Sequence, residues 1–261
     1  MRIYPISDLH LDMHDWHPQP EVIAMADVIV LAGDIHLGLM GLEWARHLAA
    51  VRPVIYVPGN HEYYGHHLFG LGVEMRKFSQ EIGIHYLDND EVIIDGVRFL
   101  GATLWTDFEL FGIGNRLEAL QLAKDRISDF SCVRTPTGWF TPPQSVILHR
   151  ACRGWLTERL AETFCGPTVV VTHHMPTAAV IDPRHTQDLL SAAFASNLDE
   201  LVQQADMWIC GHTHTPTRAK IGKCHVILNP RGYPSEEPRW DPDLIVELAV
   251  SDFLKRTGKH D

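Results

Sequence analysis

The sequence has no long hydrophobic run, no paired cysteines and no surplus of basic charge. No apolar stretch approaches the roughly 18 residues needed to cross a bilayer, so no membrane partner is expected. The cysteines (Cys132, Cys152, Cys165, Cys210 and Cys224) are odd in number, widely spaced and without a Cys-x-x-Cys pair. That pattern argues against a disulfide framework or a thiolate zinc site and reads as reduced, small hydrophobes. Lys and Arg number 22 against 33 Asp and Glu, giving a formal charge of −11. Such acidity disfavours a surface for long nucleic acid. It leaves a phosphate substrate open, because bound divalent cations reverse the local field. His-Glu-x-x-His is absent, which counts against a mononuclear zinc peptidase. Repeats and low-complexity segments are absent too.

What is present is a recurrence. Five short apolar runs each end in a cluster of metal-type ligands. Arg2 to Ile6 leads into Asp8-Leu9-His10, and Val28 to Ala32 into Gly33-Asp34. Val54 to Val57 leads into Gly59-Asn60-His61-Glu62. Val169 to Val171 leads into Thr172-His173-His174, and Trp208 to Cys210 into Gly211-His212-Thr213-His214. Continuous apolar runs are the mark of buried parallel strands, whose carboxyl ends are where open α/β sheets bind ligands. Each cluster alone has a structural reading; Gly33-Asp34, for example, also signals a turn. Together they imply one convergent polar site holding two metal ions. Strand alternation puts His212 and His214 on the same side.

The 261 residues read as one domain, 1–261, with an irregular, turn-rich insertion at about 103–143 near the site. Helices are expected over Leu42–Ala50, His66–Ile82, Leu117–Arg126 and Gln144–Thr163, and near Leu189–Gln204. The helix from Gln144 is expected to bury Val146, Ile147, Ala151, Trp155, Leu156 and Leu160. Short strands are expected at Ile84–Leu87, Val92–Asp95 and Val97–Leu100, with Asp95-Gly96 as a hairpin turn. Strands at Cys224–Leu228 and Leu244–Val250 close the sheet, and the tail Lys255–Asp261 is expected to be loose. Pro5 is awkward inside a strand because it lacks a ladder donor. Asp8 lies so near Met1 that a cleaved signal peptide would remove a ligand, so a cytoplasmic location is expected.

Asp-x-His, Gly-Asp, Gly-Asn-His-Glu, Thr-His-His and Gly-His-x-His, in this order, resemble the calcineurin-like metallophosphoesterase superfamily from Asp8 to His214. The resemblance implies an α/β fold, a four-layer α/β/β/α sandwich with a dimetal centre at the strand ends. It implies that Asp8, His10 and His214 bind one metal, that Asn60, His173 and His212 bind the other, and that Asp34 bridges them. His61 resembles the catalytic histidine that contacts the phosphoryl group and leaving oxygen. Imidazole and carboxylate donors suit Mn, Fe or Zn better than Mg. The activity implied is hydrolysis of a small phosphate ester, as phosphomonoesterase or phosphodiesterase, by attack of a metal-bridging hydroxide with His61 assisting the leaving group. The alternatives are a nuclease of the same superfamily or a non-catalytic protein-binding scaffold.

One departure is Leu37, where the superfamily pattern Gly-Asp-x-x-Asp has a second, supporting Asp. His174 competes with His173 as the ligand, and is otherwise a substrate-facing candidate. Arg231, in Asn229-Pro230-Arg231-Gly232-Tyr233, is a candidate phosphate contact or a structural ion pair. Tyr63 and Tyr64 line the pocket or pack, and Glu62 is expected to orient its loop. Trp105-Thr106-Asp107 and Asp129, in the insertion, are candidates to face the site, with a solvated loop surface the expectation for either alone, and His14, His17, His66 and His67 face solvent.

Overall fold

The computed structural model of the chain describes residues 1–236 and 239–249. The first sheet joins β1 (Arg2–Ile6), β2 (Val28–Ala32), β3 (Val54–Val57) and β4 (His85–Tyr86) in parallel. The second is built from β5 (Asp90–Ile94) and β6 (Val97–Ala102), then, beyond a small hairpin of β7 (Arg134–Thr135) and β8 (Gly138–Trp139), from β9 (Thr168–Thr172), β10 (Met207–Cys210), β11 (Thr217–Ile221) and β12 (Cys224–Leu228). Its order is β11-β12-β10-β9-β6-β5, with β6, β9, β10 and β12 parallel. A last strand, β13 (Val246–Glu247), pairs antiparallel with β1.

Alternation along each strand explains the layers. Ile29 and Leu31 of β2, with Tyr4, Ile6, Val54 and Tyr56, face the helices α1 (Pro20–Met25), α2 (Met40–Ala49) and α3 (Leu68–Ile82). Their neighbours Val28, Val30 and Ala32 turn the other way and meet Phe99, Val169, Val171 and Ile209 of the second sheet. The second sheet's outer face, through Leu100, Val170, Trp208 and Val226, packs beneath the later helices. Of these, α6 (Pro142–Ala161) contributes Cys152 and Leu156 to that layer and α7 (Asp199–Val202) Leu201 and Val202, while α4 (Arg116–Arg126) packs on α6, and Phe130 of α5 (Asp129–Cys132) packs on the first sheet's core. The result is a four-layer α/β/β/α sandwich. Strands buried on both faces must be apolar at every position, which is why they read as continuous runs.

Pro5 causes no break. Arg2 and Asp8 turn their ladder groups toward β2's side, whereas the Met1 and Ser7 carbonyls accept from Leu248 and Arg231 on the other side. Pro5 shares that second side, where its carbonyl accepts from Asn229 Nδ2 and no ladder donor is required. Asp95 and Gly96 both have positive φ, 47° and 77°, as a two-residue hairpin of the I′ kind requires.

Three expectations are corrected. β12 and β13 lie in different sheets, and β13 is shorter than Leu244–Val250; residue 250 and the tail Lys255–Asp261 lie outside the described residues. The helix near Leu189–Gln204 is instead a 3-10 turn at Leu189–Ala193 and the short α7, because Ala195 leaves helical geometry to bridge Met175. In α6 the buried stripe runs through Ser145, Val146, His149, Cys152 and Leu156; Ile147 is 65% exposed, and Ala151 is exposed as well. Among the described residues no helix is long and apolar enough to cross a membrane.

The phase of α6 is testable by thermal or denaturant unfolding. Leu156→Ala should cost about 2–5 kcal/mol, as emptying a buried leucine site does. Ile147→Ala should stay within about 0.5 kcal/mol, as an exposed substitution does. Equal losses would mean that the helix is rotated from the position described.

Candidate metal centre

The carboxyl ends of β1, β2, β3, β9 and β10 come together at one edge of the sandwich. Three sets of donor atoms there each lie within 4.8 Å of one another: Asp8, His10 and His214; His10, Asp34 and His61; Asp34, His173 and His212. Asp34 belongs with both histidine groups. His10 Nε2 stands 3.1 Å from His214 Nε2, and His173 Nε2 stands 2.9 Å from Asn60 Oδ1 and 3.2 Å from His212 Nδ1. Every residue expected as a ligand is therefore in this cluster. His212 and His214 both face this site, in different donor sets, and His212, with φ 73°, is no longer in extended backbone.

The backbone is bent to bring these groups inward. Asp8, His10, Asp34 and His212 all have positive φ, between 45° and 73°. Asp and His tolerate this region better than branched residues, yet each instance still costs on the order of 1–3 kcal/mol. Two motif glycines are needed for close approach. A Cβ at Gly59 would overlap Asp34 Oδ1, and one at Gly211 would overlap Asp8 Oδ2.

Glu62 holds the loops in place. Fully buried, it accepts from the Asp34 and Gly59 backbone N–H groups through Oε2, at 3.0 and 2.6 Å. Its Oε1 accepts from the Ile35 N–H and from Tyr56 Oη, at 2.9 and 2.8 Å. As expected, Glu62 orients its loop.

The donors fit divalent cations. Burial lowers the His10 imidazole to about 3. Burial also opposes charge on His173, yet Asp34, with help from Asp8, raises that group to about 10. The same carboxylates, buried and close together, create a field that favours positive charge at this point. The Ala32 carbonyl lies 2.9 Å from His173 Nδ1, which fixes a proton there and frees Nε2 to ligate. Glu236 Oε2 does the same for His214 Nδ1 at 2.6 Å. His174, by contrast, is buried with Nδ1 on the Thr103 carbonyl and belongs to no donor set.

The candidates around the cluster separate clearly. Arg231 does not face the site; its guanidinium spans the carbonyls of Leu9, His14 and Asp15. Neither Arg231 nor His174 lines the adjoining cleft. Tyr64 does, stacked on His61 at 4.1 Å, whereas Tyr63 packs in the core against Trp105. Leu37 is half-buried and supplies no carboxylate. Asp129 and Trp105-Thr106-Asp107, expected at a solvated surface, are all buried. Asp129 Oδ1 accepts from Asn60 Nδ2 at 2.8 Å and from Tyr64 Oη at 2.7 Å. It thereby turns the Asn60 oxygen toward His173. In the sequence, Asp129 is a candidate of the insertion and Tyr233 closes the segment Asn229-Pro230-Arg231-Gly232-Tyr233, whereas no local pattern marks Glu236.

A family model described as calcineurin-like phosphoesterase matches residues 1–216. The uncharacterized protein L509 of Acanthamoeba polyphaga mimivirus is 23% identical over 221 residues, covering 75% of this chain and 73% of its own. The structure of the phosphopantetheinyl hydrolase PptH from Mycobacterium tuberculosis superposes with a TM-score of 0.65 at 20% identity, over 89% of each chain. That likeness is one of fold.

Asp129→Ala leaves the Asn60 amide without its anchor. Metal affinity, measured by competition with a chelating dye, should fall about 10–100-fold, the usual cost of losing a group that orients a ligand. Asp125→Ala, on the exposed part of α4, should leave it unchanged. Equal affinities for the two variants would remove Asp129 from the centre.

Proposed function

The chain belongs to the calcineurin-like phosphoesterase family, metal-dependent phosphoric ester hydrolases, and on that premise we propose that it hydrolyses a small phosphoester at a two-cation centre. The observation that carries this reading is that Asp34 stands between two histidine groups. Asp8, His10 and His214 would hold one cation, Asn60, His173 and His212 the other, and Asp34 both. Imidazole-rich donors favour Mn, Fe or Zn. When bound, the cations supply positive charge against the phosphoryl oxygens and a hydroxide nucleophile near neutral pH.

The protein's own groups do the rest. Asn60 contributes an oxygen without charge, so the centre does not repel an anionic ester. Glu236 and the Ala32 carbonyl fix the tautomers of His214 and His173. His61, beside the donors and facing the cleft, is placed to assist the leaving oxygen, by a hydrogen bond or a proton, as its bond to phosphorus breaks. The adjoining cleft has a volume of about 650 Å³, within the range of small-ligand sites. Ile127 from the 103–143 segment and Ile181, Leu190 and Phe194 give the cleft an apolar lining. Such a bounded cleft, in a protein of charge −11, supports a small ester over a polymer.

Hydrolysis of p-nitrophenyl phosphate and bis-p-nitrophenyl phosphate should appear with Mn²⁺ and vanish on chelation. A phosphopantetheine diester belongs beside them, since the mycobacterial neighbour bears that name. Single-stranded and duplex DNA should resist cleavage at physiological salt. His61→Ala should lower kcat by about 10²–10⁴-fold, the range of a positioned acid, with metal content retained. Failure of the metal-loaded protein to cleave any phosphoester, or loss of metal from His61→Ala in proportion to activity, would refute the reading.

A further inference from the structure

The His61 side chain has one hydrogen-bond partner among the described residues, and it is neither a carboxylate nor a carbonyl. His61 Nδ1 is buried without a partner. Asp34 Oδ2 is 4.0 Å from Nε2, beyond hydrogen-bond reach. Tyr64 stacks on the ring, but its hydroxyl is engaged with Asp129 and Asn60. What remains is Tyr233 Oη, 3.1 Å from Nε2.

Tyr233 is itself firmly held. Its ring packs against His10 at 4.4 Å and against His214 at 4.5 Å. Its backbone N–H donates to Glu236 Oε2 at 2.8 Å, on the carboxylate that also meets His214. The chain just before it is tied to the end of β1: Arg231 N–H donates to the Ser7 carbonyl and Gly232 N–H to the Asp8 carbonyl. A Cβ at Gly232, where φ is 84°, would crowd His214 and overlap Glu236 Oε2. The phenol thus moves only with the donor cluster, and it faces the cleft.

We propose that Tyr233 is the positioning residue for His61. Its hydroxyl holds the imidazole at the edge of the cleft and selects the tautomer with the proton on Nε2. The selection follows from the unpartnered Nδ1. A buried N–H without an acceptor costs more than a buried lone pair without a donor, so the proton resides on Nε2 and is donated to Tyr233 Oη. An N–H at Nε2 can hydrogen-bond the negative charge that develops on a leaving oxygen. The kinetic part of this role rests on the phosphoesterase reading above; the tautomer does not.

The test uses the full chain loaded with zinc, which is diamagnetic. Nitrogen-15 spectra of the histidine rings, with His61 assigned by its loss in His61→Asn, should show one fixed tautomer protonated on Nε2. In Tyr233→Phe, which keeps the ring packing and removes only the hydroxyl, the two nitrogen signals should move toward their tautomeric average. On an alkyl phosphate ester, kcat should fall about 3- to 10-fold, the scale of one hydrogen bond, with KM unchanged. In the His61→Ala background the same substitution should cost nothing further, because a residue acting through another loses its effect when that other is gone. An unchanged His61 spectrum overturns the proposal. So does a loss that persists without His61, or a loss that follows zinc content. If the wild type cleaves no phosphoester, the functional reading fails while the spectra still decide the role of Tyr233.

Discussion

A carboxylate buried without solvent must find all its hydrogen bonds inside the protein, and Glu62 finds them at the tips of two neighbouring strands. By accepting from the backbone of Asp34, Ile35 and Gly59, and from Tyr56, it fastens the loop after β2 to the loop after β3. Burial and the neighbouring Asp34 push its carboxyl group up, and the donors pull the other way. Removing any donor would leave a charged group unsatisfied, a cost larger than an ordinary hydrogen bond is worth. The left-handed conformations of Asp8, Asp34 and His212 persist because such connections over-determine them. The strain is concentrated where donor atoms must converge.

Around that hub, each donor is steered by a group from elsewhere in the chain. Asp129, brought by the segment between the sheets' strands, aims Asn60 and anchors Tyr64, which in turn lies flat on His61. Glu236 and Tyr233, from the chain after β12, meet His214 and His61. The turn-rich segment 103–143 therefore does more than border the cleft. It supplies the lining residue Ile127 and Asp129, and packs its helix α4 against α6 through Ala119, Ala123 and Val146.

The sequence revealed what is local and concealed what is distant. The donors sit within a few residues of strand ends, and those strands are apolar throughout because both faces are buried. Strand and motif are then read in one window, as with Val28–Ala32 and Asp34. Asp129, Tyr233 and Glu236 act over sequence separations of 69, 172 and 22 residues, and no short pattern encodes such pairings. Arg231 looked like a phosphate ligand by type, but its guanidinium is occupied by three backbone carbonyls of the loop after β1. Ile147 shows the limit of periodicity. Its neighbour Val146 satisfies the same helical pattern, and only the packing of α4 against α6 decides which of them is buried. The partition of β12 and β13 into different sheets was equally invisible, since both lie in short runs rich in apolar residues and only their partners differ.

Charge explains why the donor set is mostly neutral. The cluster carries the carboxylates Asp8 and Asp34, while the other expected ligands are imidazoles and one amide. Two divalent cations would outweigh those carboxylates and leave the centre positive, although the whole chain carries −11. Asn60 matters most in this respect. An aspartate there would place a third negative charge beside His173, within reach of the incoming phosphate, in surroundings where burial strengthens every electrostatic contact. Asp129 supplies negative charge nearby, but behind Asn60 and tied up by two donors, and burial pushes its carboxyl group up. The acidity that orients the ligand is thus kept one residue away from the substrate, and the surface facing the cleft stays receptive to an anion.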